Sequence, residues 1–288
     1  MHGAILLWGF TGILGKLIEL NETLLVWYRM ILTTIGLFIY LAIRKRLVIP
    51  SGSDLLKISG VGFIVGLHWI FFYGAIKASS VSVTLSCFSS LALFTAILDP
   101  VFAGKRPRPE EVLFGLLALI GIYLIFMFQK LYLKGILMSL ASAFMGSIFT
   151  ICNQRFVKKI NPEILTFYEL GAGMLFLSIV VPVYLYFFPV TKFLPGQSDL
   201  VYLLVLSVAC TIVPFILSLK ALQHVSAFTL NLSVNLEPVY SIVLAILLFH
   251  ENQSLNAGFY WGTLIILSSV LMHAIYKKGK SNILSLEP

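Results

Sequence analysis

The sequence predicts an all-α polytopic membrane protein, with ten transmembrane helices in two inverted five-helix repeats. Three observations predict it. First, 59% of the 288 residues are hydrophobic and 11% are charged, against about 25% charged in a soluble domain. So few charges cannot cover a water-facing surface, and disordered chains have the opposite composition. Second, the apolar residues gather into ten runs, each close to the ~20 residues that a helical span needs. Third, polar landmarks recur 140 and 146 residues apart. Backbone groups in lipid must be satisfied internally, which leaves helices or closed barrels. Barrel strands are about 10 residues long and alternate; these runs do neither.

The runs span 3–20, 23–43, 56–76, 79–103, 111–128, 133–153, 162–188, 199–221, 225–249 and 256–276. The first starts almost at Met1, without the basic leader of a cleavable signal, and Gly9, Gly12 and Gly15 mark it for close packing. The second contains Arg29 and stops at Arg44-Lys45-Arg46. The third joins Gly62-x-x-x-Gly66, a packing motif, to His68, Trp69, Phe72 and Tyr73. The fourth runs Ser79, Ser82, Ser86 and Ser89-Ser90 down one face and ends near Asp99-Pro100. A polar loop, Gly104–Glu111, leads to the fifth, with Gly115 and Gly121. The sixth runs toward Arg155, Lys158 and Lys159; the seventh holds Glu169; the eighth ends at Lys220. The ninth carries Asn231, Asn235, Glu237 and Pro238, and the tenth, with Gly258 and Gly262, stops before Lys277-Lys278. Cys87, Cys152 and Cys210 lie inside apolar runs and read as free thiols, with no disulfide or metal spacing.

Lysine and arginine outnumber acidic residues 20 to 12, for a net charge of +8. No nucleic acid is needed to explain that, because membrane proteins collect basic residues in cytoplasmic loops. Counted from a cytoplasmic N-terminus, 14 Lys and Arg fall on the cytoplasmic side; Lys16, Lys77, Lys130, Lys134 and Lys192 fall on the other. Both termini are therefore expected in the cytoplasm.

The recurring landmarks define the repeats. Ala75 to Ser86 and Ala221 to Leu232 are each a small-residue turn entering a polar-flecked helix, 146 residues apart. Trp27-Tyr28-Arg29 stands opposite Phe167-Tyr168-Glu169 at an offset of 140. This divides the chain into 1–130, 131–280 and a tail, 281–288. Five helices is an odd number, so the second copy enters from the opposite face. Inverted repeats are a feature of secondary transporters, which bind substrate near the midplane.

Trp8-Gly9 followed by Lys16, then Leu236-Glu237-Pro238 with the run to Leu248-Phe249-His250-Glu251, then Gly258 to Gly262, resemble EamA-type proteins of the drug/metabolite transporter superfamily. The resemblance covers nearly the whole chain and marks a family, not a substrate. It implies ten helices in two inverted repeats, residence in the bacterial inner membrane, and transport, often export, of amino acids and other metabolites. A lipid-linked or lipid-like substrate is the alternative within transport. The first repeat departs from the pattern, with Leu91-Ala92 where the second has Glu237-Pro238.

Ionisable groups inside spans are costly and are functional candidates by default. Arg29, placed near the outer face, either snorkels to headgroups or binds anions in a vestibule; Glu169, its repeat counterpart, poses the same choice. Glu237 lies mid-span beside Pro238, which removes a backbone donor; it either ties helices or serves the site, where it is the expected proton-linked group. Asn231 and Asn235, rotated away from Glu237 on a regular helix, either bond a neighbour or line a cavity. The candidate substrate-binding set is Trp8, Arg29, His68, Phe72, Ser86, Glu169, Asn231, Asn235 and Glu237, with Pro238 as the helix break. No phosphate-binding glycine loop, zinc spacing or nucleophile elbow occurs, so no enzyme, cofactor or metal is expected. The expected partners are a small-molecule substrate, protons and the lipid bilayer, with a monomer or weak homodimer as the assembly.

Overall fold

The structure is a computed structural model that describes residues 1–127, 132–237, 240, 241, 244, 247, 248 and 257–284. The described elements are all helical. They are α1 (His2–Gly9), α2 (Thr11–Leu17), α3 (Glu22–Ile43), α4 (Gly52–Ala78), α5 (Val81–Phe88), α6 (Leu91–Phe102), α7 (Pro109–Met127), α8 (Leu133–Phe156), α9 (Pro162–Phe187), α10 (Gln197–Ser207), a π-turn (Val208–Ile212), α11 (Val213–Leu222), α12 (Ala227–Val234) and α13 (Ala257–Leu284).

Short polar side chains start these helices. Asn21, Ser51, Ser80, Asn161 and Ser226 each accept a hydrogen bond from a backbone N–H of the first turn, which satisfies a donor the helix leaves orphaned. Ser80 and Ser226 are 146 residues apart, so the repeat spacing read from the sequence extends to the caps.

Six helical stretches among the described residues are long and apolar enough to cross a membrane: 22–43, 52–78, 81–102, 133–156, 162–187 and 197–222. The first predicted span is instead two short helices, α1 and α2, meeting at Phe10. The ninth is described through Glu237 and only at scattered positions beyond it, and α13 runs on to Leu284, into the predicted tail.

Burial is arranged inside out. On α9, Leu175, Ile179 and Val183 are exposed at helical spacing, while Glu169, Leu170, Gly173 and Leu177 on the other face are buried. Lipid is the only solvent that suits such an apolar outer stripe. α4 packs along α8 and α9; α3 packs on α9, α6 on α12 and α7 on α13. Gly62 and Gly173 allow α4 and α9 to approach closely, since a Cβ on Gly62 would strike the Glu169 carbonyl oxygen. Gly121 serves α7 likewise, against the Gly262 oxygen of α13.

Candidate functional site

The packing leaves a cavity among α1 to α6, α8, α11 and α12. Its lining is mostly aromatic and apolar, with the Arg29 guanidinium and the Glu237 carboxyl set into the wall. Space for the centres of water molecules amounts to about 70 Å³, room for roughly five waters at ~10–15 Å³ each.

Arg29 is 1% exposed, so it does not snorkel. Its Nε donates to Thr211 Oγ1 at 2.8 Å, Nη1 to the Tyr73 hydroxyl at 2.7 Å, and Nη2 to the Cys210 carbonyl at 3.4 Å. The guanidinium lies 3.8 Å from the centre of the Trp69 ring. Thr211 and Cys210 belong to the π-turn, a distortion that often marks functional sites. Pro214 accounts for the free carbonyl: it has no N–H to give the residue four positions earlier, and that residue is Cys210.

Glu237 is 5% exposed and within electrostatic reach of Arg29. It follows a break: α12 ends at Val234, and Asn235 caps it. Pro238 lies outside the described residues, but the N–H it lacks is the one that would have bonded Val234. The first repeat breaks at the same place without a proline. α5 ends at Phe88 and α6 begins at Leu91, and Ser89 Oγ turns back to the Leu85 carbonyl at 3.2 Å, a bond that competes with helix continuation. Ser89 and Asn235 are 146 residues apart.

His68 Nδ1 lies 2.8 Å from the Ser142 carbonyl, which fixes that nitrogen as the donor, and Phe72, Phe88 and Phe149 surround the ring. Asn231 Nδ2 donates to Thr95 Oγ1 at 2.8 Å across to α6. Behind the wall, Asn153 Nδ2 donates to Glu169 Oε1 at 3.1 Å.

Polar ties link the helix ends at both faces. At one face Lys192, in the loop before α10, bonds Asp199 at 2.9 Å and Glu19 at 2.6 Å. Those two bonds, Asp199 first, raise its ammonium above the ordinary lysine pKa. Lys77 donates to the Leu20 carbonyl there. At the other face Glu163 meets Arg46 and Lys220, each at 3.7 Å. Gln154 bonds the Val225 carbonyl and Gln223 the Val157 carbonyl.

Of the sequence candidates, Trp8, Arg29, His68, Phe72, Asn231 and Glu237 line the cavity. Glu169, Ser86 and Asn235 are buried but not on its wall. The separation expected between Asn231 and Glu237 fails because a helical wheel does not carry across the break at Asn235. Ser79, Ser82 and Ser86 are not on the cavity wall; Ser79 bonds the Ala75 carbonyl, and Ser139 of α8 bonds the Thr84 carbonyl. Sequence reasoning missed Asn153, Thr211 and Phe215. Pro214, inside a predicted span, was the available signal for Thr211.

The model of the EamA-like transporter family matches residues 1–127 and 133–275. An uncharacterized transporter of Archaeoglobus fulgidus is 25% identical over 256 residues, covering 86% of this chain and 87% of its own. A solved crystal structure at 18% identity superposes with a TM-score of 0.67 and covers 93% of both chains, a likeness in fold.

Proposed function

The chain belongs to the EamA-like transporter family, a family of membrane transporters and not of enzymes, and on that premise we propose that it carries a small polar metabolite by alternating access. The observation that carries this reading is the aromatic cavity with Arg29 and Glu237 in its wall. A zwitterion such as an amino acid meets both: its carboxylate is drawn to Arg29, its ammonium to Glu237, and its apolar part to Phe72, Phe149 and Phe215. Trp8 and Asn231 complete the contacts. The two five-helix repeats rock about this cavity, and the ties at Lys192 and at Glu163 are the two closures made and broken in turn. The breaks at Ser89 and Asn235 supply the irregular backbone that such sites use.

The proposed setting is the cell membrane with both termini cytoplasmic, in line with the 14 to 5 count of basic residues. Export is the proposed direction and a monomer or weak dimer the proposed assembly. A cavity of about 70 Å³ argues against a lipid-like substrate in this conformation. Counterflow in proteoliposomes, with a panel of labelled amino acids and other small metabolites, tests the reading. Exchange of at least one zwitterion is expected; exchange of none, with lipid-linked compounds moved instead, contradicts it.

A further inference from the structure

We propose that the buried pair Glu169 and Asn153 is a proton-binding site, linked to the cavity through Asn153. The proposal rests on the transporter reading above. Glu169 is fully buried on α9 and Asn153 is 1% exposed on α8. One hydrogen bond joins them, Nδ2 to Oε1 at 3.1 Å. Two further atoms, Glu169 Oε2 and Asn153 Oδ1, have no hydrogen-bond partner. Both are acceptors, so neither can satisfy the other. A single proton on Glu169 Oε2 resolves both, because the acid then has an O–H to give to Asn153 Oδ1. Amide and acid share two hydrogen bonds in a neutral ring. Without the proton the site holds a buried carboxylate with only an amide for company, which is costly.

Among the described residues, the charged groups around Glu169 have partners of their own. α8 brings Cys152 toward Glu169. α3 brings Arg29, engaged by Tyr73, Thr211 and Cys210, and α4 brings His68, engaged by Ser142. Lys220 of α11 and Arg46 after α3 are held by Glu163, earlier on α9. Glu237, on the cavity wall, has Arg29 in reach. The sequence placed the proton at Glu237, from its mid-span depth beside Pro238; the Arg29 charge in reach of Glu237 and the orphaned oxygens of the Glu169–Asn153 pair favour Glu169.

Asn153 lines the cavity and Glu169 does not, so the amide stands between substrate and acid. A substrate that takes the Asn153 amide opens the ring and removes the one donor that a Glu169 carboxylate would have, so the acid keeps its proton while substrate is bound. Substrate occupancy and the proton are thereby linked.

Infrared difference spectra of the protein in vesicles, between mildly acidic and mildly alkaline pH, read the acid directly and need no substrate. A protonated carboxylic-acid C=O band is expected that is missing in Glu169→Gln and shifted in Asn153→Ala, but present in Glu237→Gln. Near-wild-type tryptophan fluorescence serves as the folding control. A band unchanged in Glu169→Gln overturns the proposal. So does its suppression by sodium against choline at fixed pH, which assigns an alkali cation instead. In the same vesicles, Glu169→Gln should keep counterflow and lose accumulation driven by a pH gradient. Wild-type gradient-driven accumulation by that variant also overturns the proposal. Absence of any counterflow in the wild type overturns the transport reading alone, since the band stands apart from it.

Discussion

Replacing Tyr73 with Phe removes one oxygen from the network that holds Arg29 and leaves the ring in place. The ring is needed, because Tyr73 packs onto Gly15 of α2 where no Cβ would fit. The lost bond is the 2.7 Å contact from Nη1, buried and charge-assisted. Hydrogen bonds to charged groups contribute about 1.5–3 kcal/mol. Nη1 is then a buried donor with no partner, unless cavity water moves in, which brings the cost to the lower end of that range. Thr211→Val should cost a similar amount, as it removes the Nε acceptor. The two losses should not add, because both act on one guanidinium, and coupling of about 0.5–3 kcal/mol is usual for shared partners. Unfolding in mild detergent by added denaturing detergent, followed by tryptophan fluorescence, measures each variant and the double. A Tyr73→Phe cost within about 0.5 kcal/mol of zero, the range of ordinary surface changes, would show that this network does not hold Arg29.

Two other predictions follow from local contacts and a third from the charge count. Gly62→Ala places a methyl group against the Glu169 backbone oxygen, which cannot rotate away; a loss of about 1–3 kcal/mol is expected, and the same unfolding assay checks it. Lys192 has a raised pKa from Asp199 and Glu19, so its contribution is present at neutral pH and is lost as pH rises through the folded value, above the unfolded value of about 10.4. Stability measured against alkaline pH should fall more in wild type than in Lys192→Gln. Reporter fusions at Lys45 and Lys278 should both give a cytoplasmic signal, as the charge count requires.

The helical class was legible because composition and run length have no other solution in lipid. The breaks were half legible. Pro238 announces one in the ninth run, but the break in the fourth falls at Ser89-Ser90, where the Ser89 hydroxyl bonds back to the Leu85 carbonyl, and serine is common in unbroken spans. Phe10, where the first run divides, carries no such mark. Arg29 was singled out and lines the cavity, but its burial was not foreseen: position along a helix does not reveal which neighbours supply Tyr73, Thr211 and a free carbonyl. Asn153 was missed for the same reason. Near the end of its run it looks like an ordinary interfacial polar residue, and only the packing of α4 along both α8 and α9 buries it beside Glu169.

Counterflow kinetics of Glu237→Gln in proteoliposomes, with a zwitterion that the wild type exchanges, test most directly whether the cavity of Arg29 and Glu237 is the transport site. Glutamine keeps the size and removes the charge. KM should rise about tenfold, the ~1.4 kcal/mol of a single charge-assisted contact, while the maximal exchange rate stays within about twofold, because ground-state binding is what is lost. An unchanged KM, in a variant that folds as wild type, contradicts the account.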